Sequence, residues 1–173
     1  MRALIIVEKG VEDLEFFYPF YRFQECDITV DVAGIHKGSV TGKHGYEIAT
    51  NESLTSVKSH QYDILVLPGG KAPEKVRAHQ GLIELVQGML EQGKIVASIC
   101  HGAQILVSAQ VLKAKKATCY KGIKHDIIAA GAEYLDEPVV VDENLITSRE
   151  PDDLPHFCRE IFKAVEAISH ASA

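Results

Sequence analysis

A chain of 173 residues with 46% hydrophobic and 24% charged side chains is long enough for one sizeable core and is balanced like a globular protein. That composition excludes disordered, collagen-like and fibrous readings. A formal net charge of -6 offers no general attraction for phosphate backbones, so nucleic acid is not an expected partner.

In chain order, RALIIV opens the sequence as an apolar run that meets charge at Glu8 and Lys9. It is far shorter than the ~18 residues of a membrane span and lacks a signal-peptide pattern. It reads as a strand, and the chain as cytoplasmic, with no membrane partner. Glu12 to Gln24 is apolar on one side and reads as a helix that Pro19 should kink or weaken. ITVDVAG is the next strand; HKGSVTGKHGYEI, with its glycines and short polar runs, predicts a hairpin-like excursion. DILVLP is a strand, and Leu82 to Gln92 a helix that stops at Gly93. KIVASI, PVVVD and NLITS are further strands, and helices are predicted over Ala103 to Ala109, Ile123 to Ala130 and Leu154 to Ile168. The basic residues Lys113, Lys115 and Lys116 read as a solvated turn.

Several of these strands are continuously apolar, as expected when both faces are covered. Strand–helix alternation then predicts an α/β fold: one domain over 1–173, a mostly parallel sheet, and helices on both faces. Ligands in such folds bind beyond the carboxyl ends of the strands. Three ends are of interest: Glu8 to Glu12, LPGGKAPE and SICHGA.

Ser98-Ile99-Cys100-His101-Gly102 has the form small–x–nucleophile–x–small. Small residues on either side let a tight strand-to-helix turn hold its central side chain out of the sheet at strained angles. Helix N–H groups aimed at that apex favour thiolate and can hold an oxyanion. Cys100 is therefore the candidate nucleophile, the alternative being a small buried hydrophobe. The backbone N–H groups of Gly70 and His101 are the candidate oxyanion hole, since glycines keep Cβ atoms out of the way. Glu12, at the start of the first helix, is the acid expected to hydrogen-bond the sulfur. Adjacent side chains usually point apart, so direct reach of His101 to the sulfur is not expected. The imidazole also needs an orienting acid, for which Glu74 is the candidate, from this chain or a neighbouring subunit. The histidines form no helical i, i+4 ligand pair, and the four cysteines show no CxxC spacing, so neither metal, cofactor nor disulfide is expected.

At this point the chain resembles the PfpI-type intracellular cysteine proteases of the DJ-1/PfpI superfamily, which are related to the glutaminase domains of class I amidotransferases. The likeness runs through VEDLEFFYPFYR, GKHGY, LVLPGGKAPEKVR, GKIVASICHGAQIL, YKGIKHDIIAAGAEY and VVVDENLITSREPDDL. It implies a flavodoxin-like three-layer sandwich with Cys100 on a nucleophile elbow, a contact from Glu12 to the sulfur, and His101 paired with Glu74 of a neighbouring protomer. It also implies Tyr120 beside the nucleophile and a homo-oligomer, either a dimer or a hexamer built from dimers. Two departures stand out: Cys26 and Asp27 replace a glycine turn, and His125 occupies a usually acidic position. The function implied is an intracellular cysteine peptidase. The alternatives are a glutathione-independent glyoxalase or deglycase acting on small 2-oxoaldehydes such as methylglyoxal, and a redox-sensing thiol protein.

Overall fold

The computed structural model describes residues 1–172. Its elements run β1 (Arg2–Ile6), α1 (Asp13–Glu25), β2 (Thr29–Gly34), β3 (Gly38–Thr41), β4 (Glu47–Thr50), β5 (Glu52–Ser53), β6 (Ile64–Leu67), α2 (Ala72–Val76) and α3 (Gln80–Glu91). They continue as β7 (Ile95–Ile99), α4 (Ala103–Ser108), β8 (Lys116–Ala117), α5 (Lys124–Ala129), β9 (Glu133–Tyr134), β10 (Val139–Asp142), β11 (Leu145–Ser148) and α6 (Leu154–Ala171).

Seven strands form the central sheet in the order β10-β11-β7-β6-β1-β2-β5. All its neighbours pair in parallel except β10, which runs antiparallel to β11 at one edge. The two-residue period of an extended chain divides β1 between the faces. Leu4 and Ile6 pack with Leu82, Val86 and Met89 of α3, Leu106 of α4 and Ile127 of α5. Ala3 and Ile5 face the other way, onto Phe16 and Phe23 of α1 and Phe157 and Ile161 of α6. The result is the expected three-layer α/β arrangement, and it explains why β6 is apolar throughout and β1 and β7 nearly so. Each fully buried aromatic or branched side chain stabilises it by about 1.5–3 kcal/mol.

Differences from the sequence reading are local. Helix α1 runs unbroken through Pro19, whose missing N–H removes one rung of the helical ladder. Helix α2 and strands β5, β8 and β9 are too short to show a period. Asp27 takes the left-handed angle, φ 57°, that a glycine turn would have supplied, one that Asp tolerates through its short polar side chain. Gly93, at φ 71°, ends α3 as expected, with the Lys94 N–H returning to the Met89 carbonyl. Among the described residues no helix is long and apolar enough to cross a membrane.

The fold brings the carboxyl ends of β1, β6 and β7 side by side. The connection after β1 runs outward to β2 while the connection after β6 runs the opposite way to β7, which opens a crevice between β1 and β6. The β3–β4 hairpin folds back over it: the Gly10 N–H bonds Thr41 O at 2.9 Å and the Lys43 N–H bonds Val11 O at 2.8 Å.

Candidate active site

Ile99 leaves β7 at extended angles, and Cys100 then turns to φ 61° before a one-turn 3-10 segment leads into α4. A non-glycine residue at that angle costs roughly 1–2 kcal/mol. Packing on both sides holds it in place. A Cβ on Gly102 would lie 2.0 Å from the Leu67 carbonyl oxygen, and Ser98 is buried against the neighbouring strands. Glycine at 102 is thus required sterically, and Ser98 fills a buried position on the other side.

Gly69 and Gly70 pack against the same turn. A Cβ on Gly69 would stand 3.0 Å from Cys100 Cβ and 2.9 Å from the His101 nitrogen. Gly70, at φ 77°, lies so close to the β1–α1 loop that a Cβ would meet the Glu12 nitrogen and the Gly10 oxygen, each at 2.4 Å. This closeness brings the Gly70 and His101 N–H groups, the oxyanion hole expected from the sequence, near enough to the Cys100 sulfur to favour its thiolate.

His101 reaches the thiol after all, its Nδ1 lying 3.3 Å from Cys100 Sγ. The left-handed elbow turns consecutive side chains toward one another. The imidazole also stacks on Tyr120, with centroids 4.7 Å apart and planes at 28°. Tyr120 is held in turn by its backbone N–H on the Cys100 carbonyl at 3.3 Å. Burial, and then the Lys43 charge, lower the His101 pKa, while Glu74 opposes both.

The acid beside the sulfur is Glu15, not Glu12. Glu15 is fully buried, and its Oε1 accepts from the Gly69 N–H at 2.8 Å. Its carboxyl couples to the sulfur through charge and as a side-chain hydrogen-bond partner. Its Oε2 nevertheless has no partner in regular hydrogen-bond geometry. Glu12 instead caps α1, with Oε1 accepting from the Leu14 N–H at 3.3 Å and Oε2 lying 3.3 Å from His44 Nε2. The two acids are three residues apart on one helix face, so periodicity alone could not choose between them. The available signal was an acid at 15 on the face that also carries Phe16, Pro19 and Phe23.

Electrostatics here differ from a simple helix-activated thiolate. Burial, then the Glu15 charge, push the Cys100 thiol up to about 12, against the pull of the His101 and Gly70 N–H groups. Burial also raises Glu15 to about 8. Near neutral pH Glu15 is therefore an uncharged acid, which can donate to sulfur instead of repelling it. The resting pair is a neutral thiol beside a neutral imidazole.

These groups line a cavity of about 540 Å³, together with Glu12, Lys43, Glu74 and Gln104. Lys43, from the hairpin, and Gln104 were not among the residues singled out in the sequence. Glu74, on α2, is exposed and lines the wall from the same chain. Its charge acts on His101, though no hydrogen bond joins them. Glu12, Asp13 and His44 could present one ligand atom each to a metal, within 4.8 Å of one another. Asp13 Oδ2 already accepts from the His44 N–H at 2.7 Å, and Lys43 Nζ stands 3.9 Å from Glu12 Oε2. Cations and N–H groups thus already compensate this charge, and the cluster reads as the lock between hairpin and α1.

The pattern of the DJ-1/PfpI family matches residues 1–164. A Pyrococcus furiosus relative, Deglycase PfpI, is 45% identical over 166 residues, spanning 96% of this chain and 100% of the relative. YraA of Bacillus subtilis, named as an unproven cysteine protease, is 38% identical over 160 residues, 92% of this chain and 95% of that one. Among solved structures, DJ-1 of Schizosaccharomyces pombe superposes with a TM-score of 0.88 at 26% identity, covering 95% of this chain and 92% of the other.

Proposed function

This chain belongs to the DJ-1/PfpI family, and on that premise we propose that it is an intracellular, cytoplasmic cysteine-dependent hydrolase in which Cys100 attacks a carbonyl carbon. One observation carries the reading: a thiol at φ 61°, with an imidazole nitrogen at 3.3 Å and two backbone N–H groups converging on it.

In the reaction, His101 Nδ1 takes the thiol proton as the sulfur–carbon bond forms. The carbonyl oxygen becomes an oxyanion held by the Gly70 and His101 N–H groups. Glu15, in its acid form, stabilises the sulfur as charge develops on it. Glu74, of this chain or of a neighbouring copy in a homo-oligomer, orients the imidazole. With a peptide, collapse of the adduct expels an amine that takes the proton back from His101, leaving a thioester for water to hydrolyse. With a 2-oxoaldehyde, the first product is a hemithioacetal. A proton shift from C1 to C2 converts it to the thioester of a 2-hydroxy acid, which water releases.

Peptidase and deglycase readings share the first step. The small-carbonyl reading draws support from relatives near 45% identity that are named deglycases. The peptidase reading draws support from YraA's name and from the thiol–imidazole contact. Wild type and Cys100→Ser should be compared on methylglyoxal, scored by lactate, and on a fluorescent unfolded protein, scored by cleavage. Cys100-dependent lactate without cleavage selects the small-carbonyl enzyme; Cys100-dependent cleavage selects the peptidase. Neither activity, or equal activity in both proteins, refutes the proposal.

A further inference from the structure

The hairpin tip at Gly42-Lys43-His44 is held to the start of α1 with little freedom. A Cβ on Gly42 would fall within 3.0 Å of three atoms of the Asp13 carboxyl group. The Lys43 N–H bonds Val11 O at 2.8 Å, and the His44 N–H bonds Asp13 Oδ2 at 2.7 Å. The Lys43 side chain is 51% exposed and lines the cavity with Cys100 and His101. Its ammonium is 3.9 Å from Glu12 Oε2, an ion pair too long for a good hydrogen bond. Glu12 is meanwhile engaged with the Leu14 N–H and His44.

We infer that Lys43 is the anion-recognising residue of this pocket, so that the preferred substrate carries a carboxylate or similar anion close to the reacting carbonyl. The assignment of a carbonyl substrate rests on the function proposed above; the placement of Lys43 does not. Three features support it. The ammonium already acts on both His101 and Glu15, so its charge is felt where the chemistry occurs. Glu15 is uncharged near neutral pH, and the other acids of the wall, Glu12, Glu74 and Glu150, leave Lys43 and Lys71 as its two cations. Lys71, the other lysine on the wall, is not among the charges that act on His101 or Glu15.

The test compares alkylation of Cys100 by iodoacetate and by iodoacetamide, reagents that differ in one negative charge. Their rate ratio cancels the ionisation state of the thiol. The Lys43→Met variant should lower the iodoacetate-to-iodoacetamide ratio by about fivefold, as expected for loss of one partly solvated ion pair. Lys43→Arg should hold the ratio within about twofold, and Lys71→Met should change it less than Lys43→Met does. An unchanged ratio in Lys43→Met, or an equal fall in Lys71→Met, overturns the inference. A second arm uses phenylglyoxal and 4-carboxyphenylglyoxal: Lys43→Met should raise KM for the carboxylated aldehyde alone. Equal losses on both aldehydes overturn substrate recognition by Lys43. Absence of Cys100-dependent turnover of either aldehyde rejects the small-carbonyl reading, and the alkylation ratio still decides the role of Lys43.

Discussion

Cys100 Sγ and His101 Nδ1 lie 3.3 Å apart although their residues are consecutive in the chain. The contact exists because Cys100 sits at φ 61° and because Tyr120 stacks on the imidazole and fixes its plane. His101→Ala should therefore lower turnover about 10²- to 10⁴-fold with little change in KM, the loss typical of a general base. Tyr120→Leu should give a smaller loss, confined to kcat, which steady-state kinetics on any Cys100-dependent substrate will show.

The strain at the elbow opposes stability. Cys100→Gly should stabilise the fold by about 1 kcal/mol while abolishing activity, because glycine adopts positive φ freely. Cys100→Ala, which keeps a Cβ, should give no comparable gain. Urea unfolding of the two variants checks this, and equal stabilities would argue that the elbow carries no strain.

Two titrations should shape the pH–rate profile. His101 must be neutral to take the thiol proton, and its pKa is lowered, first by burial and then by Lys43. Activity therefore rises with pH on a limb that lies below the ordinary histidine value. Glu15 ionises near 8, and a carboxylate beside the sulfur opposes developing thiolate, so activity falls above that pH. Glu15→Gln, which cannot ionise, should lose the alkaline limb and keep the acidic one.

Glu15 should also be visible in stability. Burial raises it from 4.5 to about 8, so the folded state favours its acid form. Its contribution is fully present below pH 4.5 and is lost as pH rises toward 8. Glu15→Gln should accordingly raise Tm relative to wild type at alkaline pH and do so much less in mild acid. A constant difference across pH would show that Glu15 does not change its ionisation on folding.

Asp31 carries the opposite sign. Burial alone would raise it, but hydrogen bonds from Asn51 and Tyr62, with Arg2 alongside, outweigh that and lower its pKa. Its stabilisation is present above the unfolded value of 3.8 and is lost as pH falls through the lower folded value. Asp31→Asn should destabilise the protein near neutrality and flatten this part of the acid-unfolding curve, which denaturation at several pH values will report.

The alternation of apolar runs with amphipathic stretches was enough to read the three layers. A strand buried on both faces must be apolar throughout, and a helix lying on a sheet must be apolar on one side. The elbow was legible for a similar local reason: Gly102 follows a position where a larger neighbour has no room, and Gly69 and Gly70 mark a close approach of backbone. Short elements such as α2 and β5 left no such trace.

Choices among nearby residues were made only by the tertiary structure. Glu12 and Glu15 share a helix face, and which one meets sulfur depends on where β6 and its glycines sit beside α1. Lys43 enters the cavity because a hairpin more than fifty residues away in sequence from Cys100 folds over the β1–α1 loop. The protonation states of Cys100, His101 and Glu15 follow from burial, which packing of distant segments creates. Local pattern determined the scaffold and the strained turn that carries Cys100, because sterics and periodicity act between near neighbours in the chain. The partners of that thiol and its protonation were decided by the fold, because desolvation and side-chain reach depend on what lies close in space.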